Sequence, residues 1–197
     1  MNTLHILHTE AAAGWGGQEI RVFQESCLLL ERGHRVSIVC QPESPLWERC
    51  QTVSKPGFNA FSVSMDRMLN PSAFLKLFRI IKSARPDILH THSSVDSWLA
   101  SLIGIFLNIP IVRSRHISIP VKIFFPNHLI YSKFPKRIIT SGGAISEIIA
   151  GLPGMIREKV VSIPAGADMK RFDFRVSGES FRDELNLNPV QPLVGKI

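Results

Sequence analysis

"RPDILHTHSSVDSWLASLIGIFLNIPIVRS", residues 85–114, reads as strand, helix, strand, and that reading decides the fold. Asp87 to His92 is a short strand behind a proline. Ser94 to Leu107 is a largely apolar stretch of helical length, and "PIVRS" follows as a second strand. The longest uncharged run, Ser97 to Val112, lies inside this unit. It is too short for a bilayer, which takes about 20 apolar residues. Asn108 to Pro110 interrupts it, so a buried helix ending in a turn is expected.

The alternation extends both ways. Upstream, "LHILH" (Leu4 to His8) is a strand. Gln18 to Arg32 carries Ile20, Phe23, Cys27 and Leu30 at helical spacing, and Gly33 stops it. Arg35 to Cys40 is a strand, Pro45 to Val53 a short helix, and "FNAFSVS" (58–64) a third strand. Asn70-Pro71, a cap with proline at the first position, opens a helix that runs to Ala84. Downstream come a helix from Pro120 to Tyr131, a strand from Arg137 to Ser141, a helix from Gly143 to Ala150 and a strand from Lys159 to Pro164. Units of about 25 residues that alternate in this way predict an α/β, Rossmann-like, doubly wound parallel sheet. Its strands should be apolar throughout, because both faces are covered. Ligands of such sheets bind at the carboxyl ends of the strands, near the switch in strand order. The residues there are Glu10 with the Gly14–Gly17 turn, His92 to Ser94, Arg115 and His116, Ser141 to Gly143, and Ala165 to Asp168.

Composition narrows the class. With 197 residues, 45% of them hydrophobic, the chain is one large domain or one domain and the start of another. Past Phe172 it turns polar, with an amphipathic stretch from Glu179 to Leu187, and "PLVGKI" (192–197) reads as a lone strand. The expected division is residues 1–172 as a domain and 173–197 as a linker with the first strand of a further domain. Cys27, Cys40 and Cys50 are odd in number and lack C-x-x-C spacing, which argues against a disulfide framework or a structural zinc. No basic leader precedes the first apolar run, so a cytoplasmic protein is expected.

The net charge of +7 is concentrated: between Asp96 and Glu147 there is no acid, but Arg113, Arg115, Lys122, Lys133, Lys136 and Arg137 are there. That quarter should face something anionic. In "VKIFFPNHLIYSKFPKR" (121–137) the cations alternate with Phe124, Phe125, Tyr131 and Phe134. Two readings fit: a peripheral contact with an anionic membrane surface, or a helix with an aromatic core face and a wet cationic one. No nucleic-acid-binding motif accompanies the charge, and nucleic acid is not expected as a partner.

In "TEAAAGWGGQEIR" (9–21), Gly14-x-Gly16 begins like a dinucleotide fingerprint. Glu19 takes the third glycine position, and Glu43 lies past the end of the second strand, which argues against a nicotinamide-dependent oxidoreductase. There is no P-loop. Free N–H groups at the start of a helix attract phosphate all the same, and a turn without ligand is the alternative. The succession "GWGGQEIRV", "ERGHRVSIVCQ", "RPDILHTHS", "IPIVRSRH", "VVSIPAGADMKRF" and "PLVGKI" resembles the motif order of the family 4 retaining glycosyltransferases (group 1, GT-B fold).

That resemblance implies the acceptor-side, N-terminal half of a two-domain enzyme. The reaction implied is transfer from a nucleotide-sugar donor to a glycan or lipid-linked acceptor, as in lipopolysaccharide synthesis at the inner face of a membrane, with no metal required. By the same resemblance Gly16 and Gly17 let the donor phosphate approach, and His116 acts at the sugar undergoing transfer. Glu19, Ser94, Arg115 and Lys122 are acceptor-side residues, Glu19 being equally suited to pairing with the helix dipole, and His92 is a further candidate. "PAGAD" departs from the family's usual "NGVD". The family's donor-binding residues lie in the other domain, so the fragment alone is expected to be inactive. A nucleotide- or effector-binding module without chemistry is the alternative reading of the same fold.

Overall fold

The computed structural model describes residues 2–68, 70–119, 121, 127–166, 169, 173, 175–188 and 190–194. Seven strands form one parallel sheet: β1 (His5–Glu10), β2 (Arg35–Cys40), β3 (Phe58–Ser62), β4 (Ile88–Thr91), β5 (Ile111–Arg115), β6 (Arg137–Thr140) and β7 (Val160–Ser162). Their order is β3-β2-β1-β4-β5-β6-β7, so the chain winds outward from β1 to one edge, returns beside β1 and winds to the other. The switch in direction lies between β1 and β4, where Ile6 pairs with Ile88 and His8 with His90.

The helices are α1 (Gly17–Glu31), α2 (Pro45–Gln51), α3 (Pro71–Ala84), α4 (Ser94–Phe106), α5 (Leu129–Ser132), α6 (Gly143–Ala150) and α7 (Glu179–Glu184). Their starts follow local chemistry. Ser44 Oγ accepts Trp47 N–H at α2, and Asn70 Oδ1 accepts Ala73 N–H at α3, each with proline at the first position. Side chains alternate across each strand, so apolar residues pack against helices on both faces of the sheet. Leu7, Val39, Leu89 and Ile111 pack under α3 and α4, while Val36, Ile38 and Cys40 pack with Val22, Leu46 and Cys50 of α1 and α2. Gly104 lets α4 lie against the sheet: a Cβ there would come 2.9 Å from Leu89 Cδ1 and 3.0 Å from Ile111 Cγ1.

Three expectations are corrected. The strands are buried but not apolar: His5, His8, Thr9, Glu10, His90 and Thr91 are all inside. This polar seam is held by hydrogen bonds, such as His5 Nε2 with Ser37 Oγ at 2.8 Å and His90 Nε2 with Ser114 Oγ at 2.8 Å. Arg113, counted above with the surface charge, is 1% exposed; its guanidinium donates to Tyr131 Oη at 3.0 Å and stacks 4.3 Å from that ring. Of the helix expected from Pro120 to Tyr131, the described part is α5 preceded by a turn at Asn127 and His128, while residues 120 and 122–126 lie outside the described residues.

The chain divides into two compact units, Met1–Pro164 and Ala165–Ile197, so the expected boundary at 172 falls inside the second. The first unit contains the whole sheet. The second contains α7, whose Arg182 donates to Gln191 O at 2.8 Å. Pro192 to Val194 form no strand, and the rest of "PLVGKI" lies outside the described residues, as do Ala167 and Asp168.

Candidate functional site

The carboxyl end of β1 feeds the glycine turn. Glu10 is fully buried there; its carboxyl accepts Ala12 N–H at 2.8 Å and Gln18 Nε2–H at 2.6 Å, tying the strand end to the first turn of α1. Burial pushes the Glu10 carboxyl up to about 8, and the nearby acids Asp96 and Glu19 add to the shift. Trp15 packs into the α1–α2 core with the Arg49 guanidinium 3.9 Å over its ring, which anchors the middle of the turn.

Gly16 caps α1. Its N–H donates to Glu19 Oε2 at 2.7 Å, and its carbonyl accepts Ile20 N–H at 3.0 Å. Glu19 is 6% exposed and thus closes the turn from within, half of a capping box whose other half glycine cannot supply. A Cβ on Gly17 would meet nothing within 4 Å, so the first residue of α1 borders open space. Gly17 and Gly16 are both exposed there. A helix N-terminus of this length with glycine at its mouth suits a phosphate.

Across the switch point, Asp96 organises the start of α4. It is fully buried and accepts Thr9 Oγ1–H at 2.7 Å, His92 N–H at 3.0 Å and the Ser93 hydroxyl. Burial raises its carboxyl above the usual aspartate range against the pull of these donors and of Arg113. Arg113 reaches across to Ser93 O at 3.1 Å. The loop carrying His92, Ser93 and Ser94 is therefore fixed from three sides, with Ser94 exposed at its tip.

From β5, Arg115 donates to Ile119 O at 2.6 Å, and His116 follows, its carbonyl accepting Ser141 Oγ–H at 3.2 Å. His116 Nε2 lies 3.2 Å from His92 Nδ1, and His92 Nε2 lies 3.0 Å from His8 Nδ1. Burial lowers all these imidazoles: His8 and His116 to about 4, with Arg21, Arg113 and Arg115 adding at His116. His90 and His92 are held well below the ordinary histidine range, again chiefly by burial. At neutral pH the rings are uncharged, fit for hydrogen bonding at the site.

His92, Ser93, Ser94, Arg113, Arg115 and His116 line one cleft of about 220 Å3, with Gln18 from the first turn of α1. The structure thus gathers His116, His92, Ser94 and Arg115 at one cleft, with Gln18 joining it from the helix that Gly17 begins. Glu19 turns inward to Gly16, and Lys122 lies outside the described residues. A larger cleft of about 450 Å3 sits at the amino ends of β5 and β6, rimmed by Lys133, Lys136 and Lys159. The smaller one is the candidate site, since it lies at the switch point and holds the convergent polar groups. Sequence reading missed His8, Asp96 and Arg113 as site-forming residues. Identical histidines at matching places in two strands were the available signal, but it needed the strand order.

The class is therefore a Rossmann-like α/β domain, the half of a GT-B fold, with its polar site at the switch point. The family model described as Glycosyltransferase Family 4 matches residues 15–171, and the chain belongs to that family. No curated protein sequence matches. Among solved structures, a glycosyltransferase from Rickettsia africae ESF-5 is similar at a TM-score of 0.77 and 18% identity, over 98% of this chain and 52% of that one. Anabaena HepE in complex with UDP-glucose is similar at 0.72 and 13% identity, over 93% and 50%. A UDP-N-acetylglucosamine 2-epimerase from Rickettsia bellii is similar at 0.61 and 16% identity, over 95% and 52%. The chain spans about half the length of these proteins, and at these identities the likeness is one of fold.

Proposed function

We propose that the chain is the acceptor-side half of a retaining, metal-independent glycosyltransferase that moves a hexose from a nucleotide-sugar donor to a glycan or lipid-linked acceptor. The reaction belongs, on this reading, to lipopolysaccharide-type cell-surface synthesis at the cytoplasmic face of a membrane. One observation carries it: the open N-terminus of α1 at Gly17 begins the helix whose Gln18 lines the cleft holding neutral His116 and His92. Bound UDP-glucose in the Anabaena neighbour supports a nucleotide-sugar donor. On this reading the donor phosphate sits at Gly16 and Gly17; a side chain at Gly17 would enter that space, while one at Gly16 would press on Glu19 Oε2. His116 meets the sugar, with His92 behind it, while Ser94 and Arg115 face the acceptor, the role the family resemblance also gives Lys122. Glu19 serves this arrangement by holding Gly16 rather than by reaching the acceptor. Without the donor-binding half, the isolated chain does not turn over.

The test uses the native full-length protein with a panel of UDP-, GDP- and ADP-sugars, following release of nucleoside diphosphate and the anomeric configuration of the product. Gly17→Val and His116→Ala are each expected to lower turnover by at least tenfold while the fold, by circular dichroism, is kept. Interconversion of sugar nucleotides without an acceptor would replace this reading with an epimerase, a class that shares the fold. Unchanged turnover in both variants would remove the site assignment.

A further inference from the structure

Four imidazoles crowd α1's face of the sheet. His8 and His90 are register partners on β1 and β4, His92 follows on the same side two residues on, and His116 follows β5. Ring centroids lie 4.9 Å apart for His8–His90, 4.3 Å for His90–His92 and 5.5 Å for His92–His116. The ring nitrogens of His8, His90 and His92 come within 4.8 Å of one another, a spacing that invites a metal. The His8 and His92 rings, however, lie edge to edge in nearly one plane, 21° apart with centroids at 5.3 Å, and His90 is tilted by 34° to His92. Metal ligands point their lone pairs, which lie in the ring planes, at one centre. His8 Nδ1 and His92 Nε2 are instead spent on each other at 3.0 Å.

What the geometry builds is a wire of two hydrogen bonds, His8–His92–His116. A neutral imidazole has one N–H and one lone pair, so each link needs a donor on one ring and an acceptor on the next. Only two arrangements satisfy both links. Either all three rings carry the proton on Nε2, or all three carry it on Nδ1. In the first, His8 is left with an N–H at Nε2, an atom that is buried and has no partner among the described residues. In the second, the unpaired atom is a bare lone pair, and unpaired buried N–H groups are the rarer and costlier of the two.

We propose that His8 and His92 are positioning residues that lock His116 in its Nδ1–H tautomer, so that the cleft receives a hydrogen-bond donor aimed at an oxygen of the bound sugar or phosphate. Nδ1 of His116 has no partner among the described residues, which leaves it for the ligand. The rings stay neutral because they are buried and because the groups facing them are chiefly cationic. These are Arg21 from α1 and Arg113 and Arg115 from β5; Glu25 of α1 faces His90, at 3.7 Å. His90, whose Nε2 is held by Ser114, packs against the wire without joining it. The ligand assignment rests on the sugar-transfer reading above; the tautomer lock does not.

The experiment is long-range 1H–15N correlation of histidine side chains in the full-length protein, selectively labelled, without ligand at pH 7.5. All three rings of the wire should show the Nδ1–H pattern. His8→Leu should leave His92 and His116 as tautomer mixtures. His8→Asn, whose amide can donate from about the place of Nδ1, should restore the Nδ1–H pattern at both. An Nε2–H or mixed His116 in the wild-type protein overturns the lock with no variant needed. So does an unchanged pattern in folded His8→Leu, or one equivalent of zinc that shifts His8, His90 and His92 together to metal-bound positions. Absent sugar transfer beside intact Nδ1–H signals would instead overturn the transferase reading.

Discussion

Two sets of buried or half-buried groups oppose each other in their response to acid. His5, His8, His90, His92 and His116 are all held below the ordinary 6.5, each chiefly by burial. Glu10, Glu25 and Asp96 are held above the usual carboxyl range, again with burial first. A depressed histidine binds its proton only in the unfolded chain, so its share of stability is complete above 6.5 and is lost as pH falls toward the folded value. A raised carboxyl does the reverse: its share is present at low pH and is lost as pH rises through the folded value, about 8 for Glu10. Between pH 4.5 and 6.5 five histidines take up protons on unfolding against at most three carboxyls that release them. Stability should therefore fall on acidification through that window, by about 1.4 kcal/mol per pH unit for each net proton. Above 6.5 the carboxyls act alone, so the urea midpoint should pass a maximum near pH 6.5 and decline toward 8. A midpoint that is flat, or that rises from pH 6.5 to 4.5, would contradict neutral buried histidines.

At the scale of the element, α4 depends on one missing side chain. Gly104→Ala places a methyl 2.9 Å from Leu89 Cδ1 and 3.0 Å from Ile111 Cγ1. Crowding of this kind costs about 1–3 kcal/mol, while the better helix propensity of alanine returns about 1. A net loss on the order of 1 kcal/mol is expected from a urea melt; a higher midpoint than wild type would mean that α4 is not seated as described. The same helix marks how far sequence carries. Its span was legible from apolar length and from the Asn108–Pro110 stop, as α3 was from Asn70-Pro71, because these signals act within one turn of chain. The strand ends that hold His92, His116 and the glycine turn were legible for the same reason. The wire was not. His8 meets His92 across 84 residues, and only the β1–β4 register shows that they share a face. Arg113 misled because charge is read as exposure, whereas Tyr131 and Ser93 O give its guanidinium partners inside.

For the whole molecule, the first unit is polarised along its strands. The candidate site, with Glu10, Asp96 and His92 buried around it, occupies the carboxyl edge, while Lys133, Lys136 and Lys159 ring the cleft of about 450 Å3 at the amino edge. Lys159 is pushed down by burial and then by Lys136, Lys133 and Arg137, the cations gathered around it. We propose that this edge is what an anionic membrane holds. Tyr131 is buried and Phe134 packs edge-on to Trp98 at 5.7 Å, so neither ring is free to enter the headgroups. Phe124 and Phe125 lie outside the described residues. Among the described residues no helix is long and apolar enough to cross the bilayer. The contact should then be electrostatic: present on vesicles with anionic lipid, absent on neutral ones and lost in high salt. With about 1 kcal/mol for each cation near the surface, replacing Lys133, Lys136 and Lys159 by alanine should weaken partitioning about a hundredfold. Because these lysines sit at the opposite edge from His116, the triple variant should keep its rate of transfer to a water-soluble acceptor. Equal, negligible binding of the wild-type protein to both kinds of vesicle would exclude the membrane contact, and a lost transfer rate in the triple variant would show that the two edges are not independent.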